Sequence, residues 1–542
     1  MQFLKYLVPV CSLLSAQLVS AQRPGQDSVK TAPGKLLEIL NGERMHMMNM
    51  DSTHQLMALA GKAIVKQDKT WFYADSAVVN QFDNSLEAFG NIHINDADSV
   101  HTYAQYLKYL GKEKKAFLKK KVRLTDGKGV LTTDELEYDV SLKIGTYLKG
   151  GKLVNKKTVL TSKEGYYYGD TRDVYFKQKV EMVDPEYTVY TDTLQYNINT
   201  EIATFISPTR IISDSGRRTI YTHDGNFDMK NKRGFLYQRS LIDDSTYTFT
   251  ADDMAVDDST KLAEFRGNAV YRGKDTAKGF DLIANNIKTD RKKDMLLATE
   301  NPILLIKQGP DSVWVAADTL FTARLKELMK TRAVPNVRDS VFSFVDTTRI
   351  PDSTNKFFEA YYHVRIFSDS LQAVGDSLFY SLADSVFRLF KSPVIWAKEN
   401  QVTGDTIYLY TANKKPEHIR VFENSMAVSR VDSTAYFNQL RATTINAWFT
   451  DGKIRYMRAK GNAENVFYNQ DDYKRFISVS KSSSDVMETY FRNSKPDRIK
   501  FINSFDGDMY PMRQIDHESL KLRNFQWLDS IRPKSKLDIL SH

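Results

Sequence analysis

A two-part phrase returns along most of this chain. The first part is a small residue, an aspartate, a Ser or Thr and an apolar residue: Ala74-Asp75-Ser76-Ala77, Thr191-Asp192-Thr193-Leu194, Ala317-Asp318-Thr319-Leu320 and Gly404-Asp405-Thr406-Ile407. About fifteen residues later comes a turn-forming residue followed by alternating apolar positions, as in Gly90-Asn91-Ile92-His93-Ile94, Gly267-Asn268-Ala269-Val270-Tyr271 and Asn301-Pro302-Ile303-Leu304-Leu305. A phrase that recurs at this interval marks a repeat architecture, in which each unit buries its apolar side only by stacking on its neighbours. Such a chain builds a long continuous surface or groove in place of a single catalytic pocket.

The alternation itself selects strands. Ile92 and Ile94 flank His93, Val122 and Leu124 flank Arg123, and Val180 and Met182 flank Glu181, so one set faces a dry side and the other faces water. Asp, Asn and Gly cluster between these runs, at Asp126-Gly127, Gly150-Gly151, Asn197 to Thr200 and Asp257-Asp258. Tyr and Phe number 29 and 30, which also favours strands. The expected fold is all-β: two opposing antiparallel sheets stacked as an elongated trough, with one irregular insertion and a short C-terminal tail.

The N-terminus reads as a cleavable export signal over residues 1–21. Lys5 precedes a mostly apolar run from Leu7 to Val19, and Val19-Ser20-Ala21 supplies small residues before Gln22. The only cysteine, Cys11, lies within it, so the exported chain is expected to have no disulfide framework. Residues 22–37 form a polar leader. A first block of repeats occupies 38–321, an insertion or hinge 322–355, a second block 356–510 and a tail 511–542. The tail, with Phe525, Trp527 and Ile531 among basic residues, reads as a short helix and an extended end.

Little in the sequence supports catalysis. The repeated aspartates fit turns that launch strands, with the carboxylate accepting a backbone N–H. Calcium-repeat spacing is absent, no carboxylate pair stands apart, and the nine histidines have no metal-ligand spacing. No nucleophile elbow, phosphate loop or dinucleotide fingerprint occurs. The formal charge of +9 is dispersed and lacks the basic stripe of a nucleic-acid binder. The expectation is therefore a chain without enzyme activity, metal, cofactor or nucleic-acid partner.

The apolar strand positions offer a different chemistry. Ile92, Ile94, Val122, Leu124, Val180, Met182, Ala269, Ile303, Leu305, Val394, Trp396, Met426 and Val428 are expected to point into one shared interior. That interior is either an ordinary packed core or a partly open groove in which acyl chains lie with head groups at the rim. A packed β scaffold or adhesin without cargo, and a β-helix enzyme acting on polysaccharide, stay open as alternatives.

The iterated Ala-Asp-Ser/Thr-Leu-x-Tyr and Gly-x-Val/Ile-x-Val/Ile units resemble the organic-solvent-tolerance, or OstA-like, family. The segments Phe72 to Ile94, Tyr190 to Ile211, Thr250 to Tyr271, Val315 to Phe321 and Tyr361 to Trp396 carry the resemblance. It implies a β-jellyroll with a hydrophobic groove, located in the periplasm either free or associated with the outer membrane. It also implies lipopolysaccharide or a similar amphiphile as cargo. The implied protein partners are other jellyroll transport proteins, joined by edge-strand pairing, and a separate outer-membrane barrel. The chain departs from the family's small bridge proteins in its length, and it lacks a long C-terminal series of barrel strands.

Overall fold

The computed structural model describes residues 35–540 except 50–54, 98, 276–278, 308–311, 339–340, 413–414, 433, 472 and 494. The expected export signal, and the leader up to residue 34, lie outside the described residues. The fold is all-β, as expected, and every strand pairing among the described residues is antiparallel. Among the described residues the single α-helix, Leu325–Leu328, is one turn long, and no helix is long and apolar enough to cross a membrane.

Each long strand pairs with the next one in sequence, and most are bent in the middle. The strand Thr70–Asn80 meets Ser85–Asp96 with a register break between Tyr73 and Ser76, and Ser85–Asp96 meets Val100–Leu110 with one between Phe89 and Ile92. The same break recurs between Tyr103 and Tyr106, Lys119 and Val122, and Lys177 and Val180. Backbone in the left-handed region marks these points at Gly90 and Asn91, Lys120 and Lys121, and Gln178 and Lys179. A bulge bends its strand and increases its twist. Repeated at the same level in strand after strand, the bend folds one meandering ribbon over on itself. Sheet I then holds residues 76–80, 85–89, 106–110 and 115–119 and their successors, and sheet II holds 70–73, 92–96, 100–103 and 122–125 and theirs.

This corner explains the repeated phrase. The aspartates do not launch strands from turns; they sit at the bend, bound to the bend of the neighbouring strand. Asn91 donates its side-chain N–H to Asp75 at 2.9 Å, Asn268 donates to Asp252 at 2.8 Å, and Asn424 donates to Asp405 at 3.1 Å. Gly267 has φ +71°, and a Cβ there would come within 2.7 Å of the Asp252 carboxylate. The Asp-Ser/Thr and Gly-Asn halves of the phrase are thus the two sides of one hydrogen-bonded spine.

From Tyr187–Asn197 to Leu262–Gly273 the intervening strands are split at the corner into separate halves. The two intact strands join the halves into a closed ring of 10 strands. Beyond it, the strand Thr319–Ala323 pairs directly with Phe357–Phe367, so the sheet passes the 322–355 segment without a gap. That segment folds back as a hairpin, Pro335–Arg338 with Val341–Phe344, over the outer face of sheet I. Leu325, Val334 and Ile350 pack there on Phe357 and Phe379, and Arg388 donates to the Pro335 carbonyl at 3.0 Å.

The C-terminal tail contains two 3-10 turns, Asp529–Ile531 and Asp538–Leu540, and no α-helix among the described residues. It runs as a strap across the outer face of sheet II. Leu520 and Leu522 pack on Met426, Val428 and Val466. Leu528 N–H donates to Gln401 at 2.7 Å, Arg532 donates to Gln372 at 2.6 Å, and Arg365 donates to the Asp538 carbonyl at 3.1 Å. The later strands are therefore buried on both faces, and they read as runs with no apolar/polar alternation, such as Val394–Ala397 and, apart from the buried Arg388, Val386–Phe390.

Candidate functional site

The space between the sheets is one apolar core that runs from Leu37 through Ile94, Met182, Ala269 and Leu304 to Met487. The structure places Ile92, Ile94, Val122, Leu124, Val180, Met182 and Ala269 inside it, each at most 2% exposed. The other six expected positions lie elsewhere. Ile303 and Leu305 are half-buried on the opposite face of their strand, and Leu304 and Ile306 point inward in their place. Val394 and Trp396 flank the inward Ile395, and Met426 and Val428 flank Ala427, which packs on the inner core. These four sit on the outer face of sheet II, in the region crossed by the tail. The physical cause is shared: a strand apolar on both faces has no alternation to read, and a slip of one residue exchanges its faces. His93 is outward as expected. It stacks on Tyr103 at 4.6 Å between ring centroids, and its Nε2 lies 3.1 Å from Nδ1 of His101.

One edge of the sandwich is the continuous corner. The other, where the hairpins of the two sheets face each other, is closed by a row of buried polar latches. Tyr109 of sheet I donates to Gln67 of sheet II at 2.5 Å, and Tyr138 donates to Asp96 at 3.0 Å. Tyr167 donates to Asp126 at 3.4 Å, with Arg172 paired to the same carboxylate, and Asn155 donates to the Tyr196 hydroxyl at 3.0 Å. These four tyrosines follow one another at intervals of 29 residues, two strands of the meander. Burial pushes the phenols of Tyr109, Tyr138 and Tyr167 up, and that of Tyr196 up to about 12, so all remain protonated at neutral pH.

The fifth latch is charged. Tyr187 donates to Asp258 at 2.5 Å, Arg218 approaches the same carboxylate at 3.3 Å, and Arg291 pairs with its other oxygen. Arg218 and Asp258 are 6% and 8% exposed, which places the pair out of water. This cluster closes a cavity of about 30 Å³ inside the 10-strand ring, lined by Met182, Val189, Phe205, Ile220, Phe227 and Ile242 among others. That is room for a water molecule and not for an acyl chain. A chain-like guest at this point would have to part the sheets and break the Tyr187–Asp258–Arg218 latch.

Burial pushes the Asp258 carboxyl up, but the Tyr187 hydrogen bond and the Arg218 and Arg291 charges more than offset this, leaving it below the ordinary carboxylate range. At Asp126, burial is likewise outweighed by the Gly129 and Lys128 N–H groups and Arg172. A carboxylate with a depressed folded-state pKa adds stability above its unfolded pKa, and this is lost as pH falls through the folded value. The Asp126 and Asp258 latches should therefore hold unchanged from neutral pH to about pH 4 and weaken only below it. Dye binding to exposed apolar surface should rise below that pH. A rise centred near pH 6 would point to histidine and rule out these carboxylates as the cause.

The latch residues were not among the expected site positions, yet a signal for them was present. Leu107-Lys108-Tyr109, Leu136-Glu137-Tyr138 and Leu194-Gln195-Tyr196 are the Leu-x-Tyr ends of the repeated phrase. The partners lie 41 or 42 residues away, on the other sheet, beyond the reach of local pattern.

No curated protein matches this sequence. Among solved structures the chain is similar to LptH of Pseudomonas aeruginosa, the LptA-homologous periplasmic component of its lipopolysaccharide transport device. The two share 13% identity over 27% of this chain and 81% of that one, with a TM-score of 0.19, too slight a likeness to argue from. Residues 36–192, which carry the Asp75–Asn91 corner contact and the latches of Tyr109, Tyr138 and Tyr167, match the family described as OstA-like protein.

Proposed function

We propose that this protein is a non-enzymatic periplasmic carrier that holds the acyl chains of lipopolysaccharide, or a similar amphiphile, between its two sheets on the way to the outer membrane. The observation that carries the reading is the unbroken apolar interior, closed along one edge only by hydrogen bonds and ion pairs, in a chain whose residues 36–192 match the OstA-like family. A lipid chain needs length and low polarity and no directed bond, which a stacked repeat supplies. Its two ends suit edge-strand pairing with jellyroll partners or the periplasmic part of an outer-membrane barrel. Glu38–Asn41 and Arg44–Asn49 pair only with Gln55–Gln67 among the described residues, and Lys495–Ile502 and Asp506–Pro511 pair only with Phe476–Arg492. Met45 and Met47 at one end and Met509 at the other are more than half exposed.

The small interior cavity favours a second reading, a packed β scaffold with no cargo. Photocrosslinking in cells separates the two, with a photoreactive residue at Ile92 or Met182 inside and at His93 outside. Lipopolysaccharide adducts at the inner positions alone are the expected result. Equal labelling at His93, or no adduct from a folded and exported protein, would leave the scaffold.

A further inference from the structure

The interior changes character at the C-terminal end. Between the last strands of the two sheets, Lys495–Ile502 and Asp506–Pro511, a cleft of about 440 Å³ opens to solvent. That is within the range of small-molecule sites and far larger than the cavity in the ring. Its walls combine the aromatic residues Phe467, Phe501 and Phe505 with Asn465, Ser480 and Ser482. Asp497, Arg498 and Asp508 also line it.

Asn465 decides what the cleft can hold. It lies opposite Leu440 and Ser482 on its neighbouring strands, is 7% exposed, and its side-chain carbonyl oxygen is buried with no hydrogen-bond partner. Burying an amide oxygen unpaired forfeits its hydration with nothing in return. Nothing in the packing requires that cost, because aliphatic residues serve at the equivalent inward positions earlier in the core, such as Leu304 and Ile306. An acyl chain in this cleft would leave Asn465 unpaired, and a phosphate or carboxylate brings acceptors where a donor is needed. A sugar ring meets all the demands together. Its hydroxyls donate to the amide and to carboxylates and exchange bonds with serines, and its C–H faces pack on phenylalanine.

We infer that the C-terminal cleft is a glycan-binding site, in which a sugar hydroxyl donates to Asn465 Oδ1 and the ring rests against the phenylalanines. The site does not depend on the carrier reading. The glycan could be the head of a glycolipid or a soluble oligosaccharide.

The test is calorimetric titration of the full chain with the oligosaccharide released from lipopolysaccharide by complete deacylation. Wild type is expected to bind. Asn465→Leu should weaken binding at least tenfold while its melting temperature stays level or rises, since an unpaired buried polar atom has been removed. A structural asparagine would instead lower the melting temperature. Ser482→Ala provides a second, milder variant should Asn465→Leu misfold, and it should also weaken binding. Competition by intact lipopolysaccharide would assign the glycan to a glycolipid, and competition by free maltotriose alone to a soluble sugar; either supports the site. No binding by wild type, as when the cleft holds only water, or equal binding by folded variants, overturns it. Inner-face adducts without oligosaccharide binding would sink this site and leave the carrier standing.

Discussion

Asp258→Ala is expected to lower the stability of the chain by about 3–5 kcal/mol at neutral pH, measured by urea unfolding. The carboxylate joins sheet I to sheet II through Tyr187 and Arg218, and it also holds Arg291. Removing it leaves the Arg218 guanidinium, 6% exposed, without its principal counter-charge and the Tyr187 hydroxyl without its acceptor. Surface pairs elsewhere, such as Lys114 with Asp68 at 2.8 Å, should contribute at most about 1 kcal/mol when cut, because water screens them. The contrast is the informative part. A loss below about 1 kcal/mol for Asp258→Ala would place the cluster among those surface pairs and remove it as a closure of the sandwich. If the interior does open to cargo, the same substitution should increase inner-face crosslinking at Met182, which lines the cavity beneath it.

Trp396→Ala should cost about 3–5 kcal/mol by the loss of a fully buried indole. Its second effect is local. Trp396 is 0% exposed and donates from Nε1 to Gln401 at 3.2 Å, and Gln401 in turn holds the tail through Leu528 N–H and the Gln526 carbonyl. Limited proteolysis of the variant should therefore cut first within 511–540. Val394, Met426 and Val428 would be bared as the strap leaves, so the cut protein should self-associate. Cleavage that begins in the first block would mean that Trp396 supports the inner core, contrary to its place on the outer face.

The first block and the second differ in how far their patterns could be read. Around Ile92, Ile94, Val122 and Leu124 the outward neighbours are polar, so the alternation showed which face was dry, and those residues are inside. Around Ile303-Leu304-Leu305-Ile306 and Val394-Ile395-Trp396 both faces are apolar, because packing or a covering segment lies on the outer one. There the sequence contains no parity to follow. The tail looked helical for a related reason: Leu520, Leu522, Phe525 and Trp527 are apolar because sheet II lies beneath them, and their spacing follows that sheet.

Local chemistry in the sequence thus determined that the chain is all-β, that it repeats, that its first block alternates dry and wet faces, and that residues 36–192 match the OstA-like pattern. Strand propensity, turn residues and period-2 alternation act over a few neighbours and survive in any context. Tertiary structure alone decided that the Asp and Asn of the phrase meet at a corner. It also decided that tyrosines 29 residues apart close the opposite edge, that the insertion and tail cover the two outer faces, and that Asn465 ends beside an open cleft. Each of these joins groups distant in sequence, and their energies exist only once the ribbon has folded over and water has been expelled between its halves.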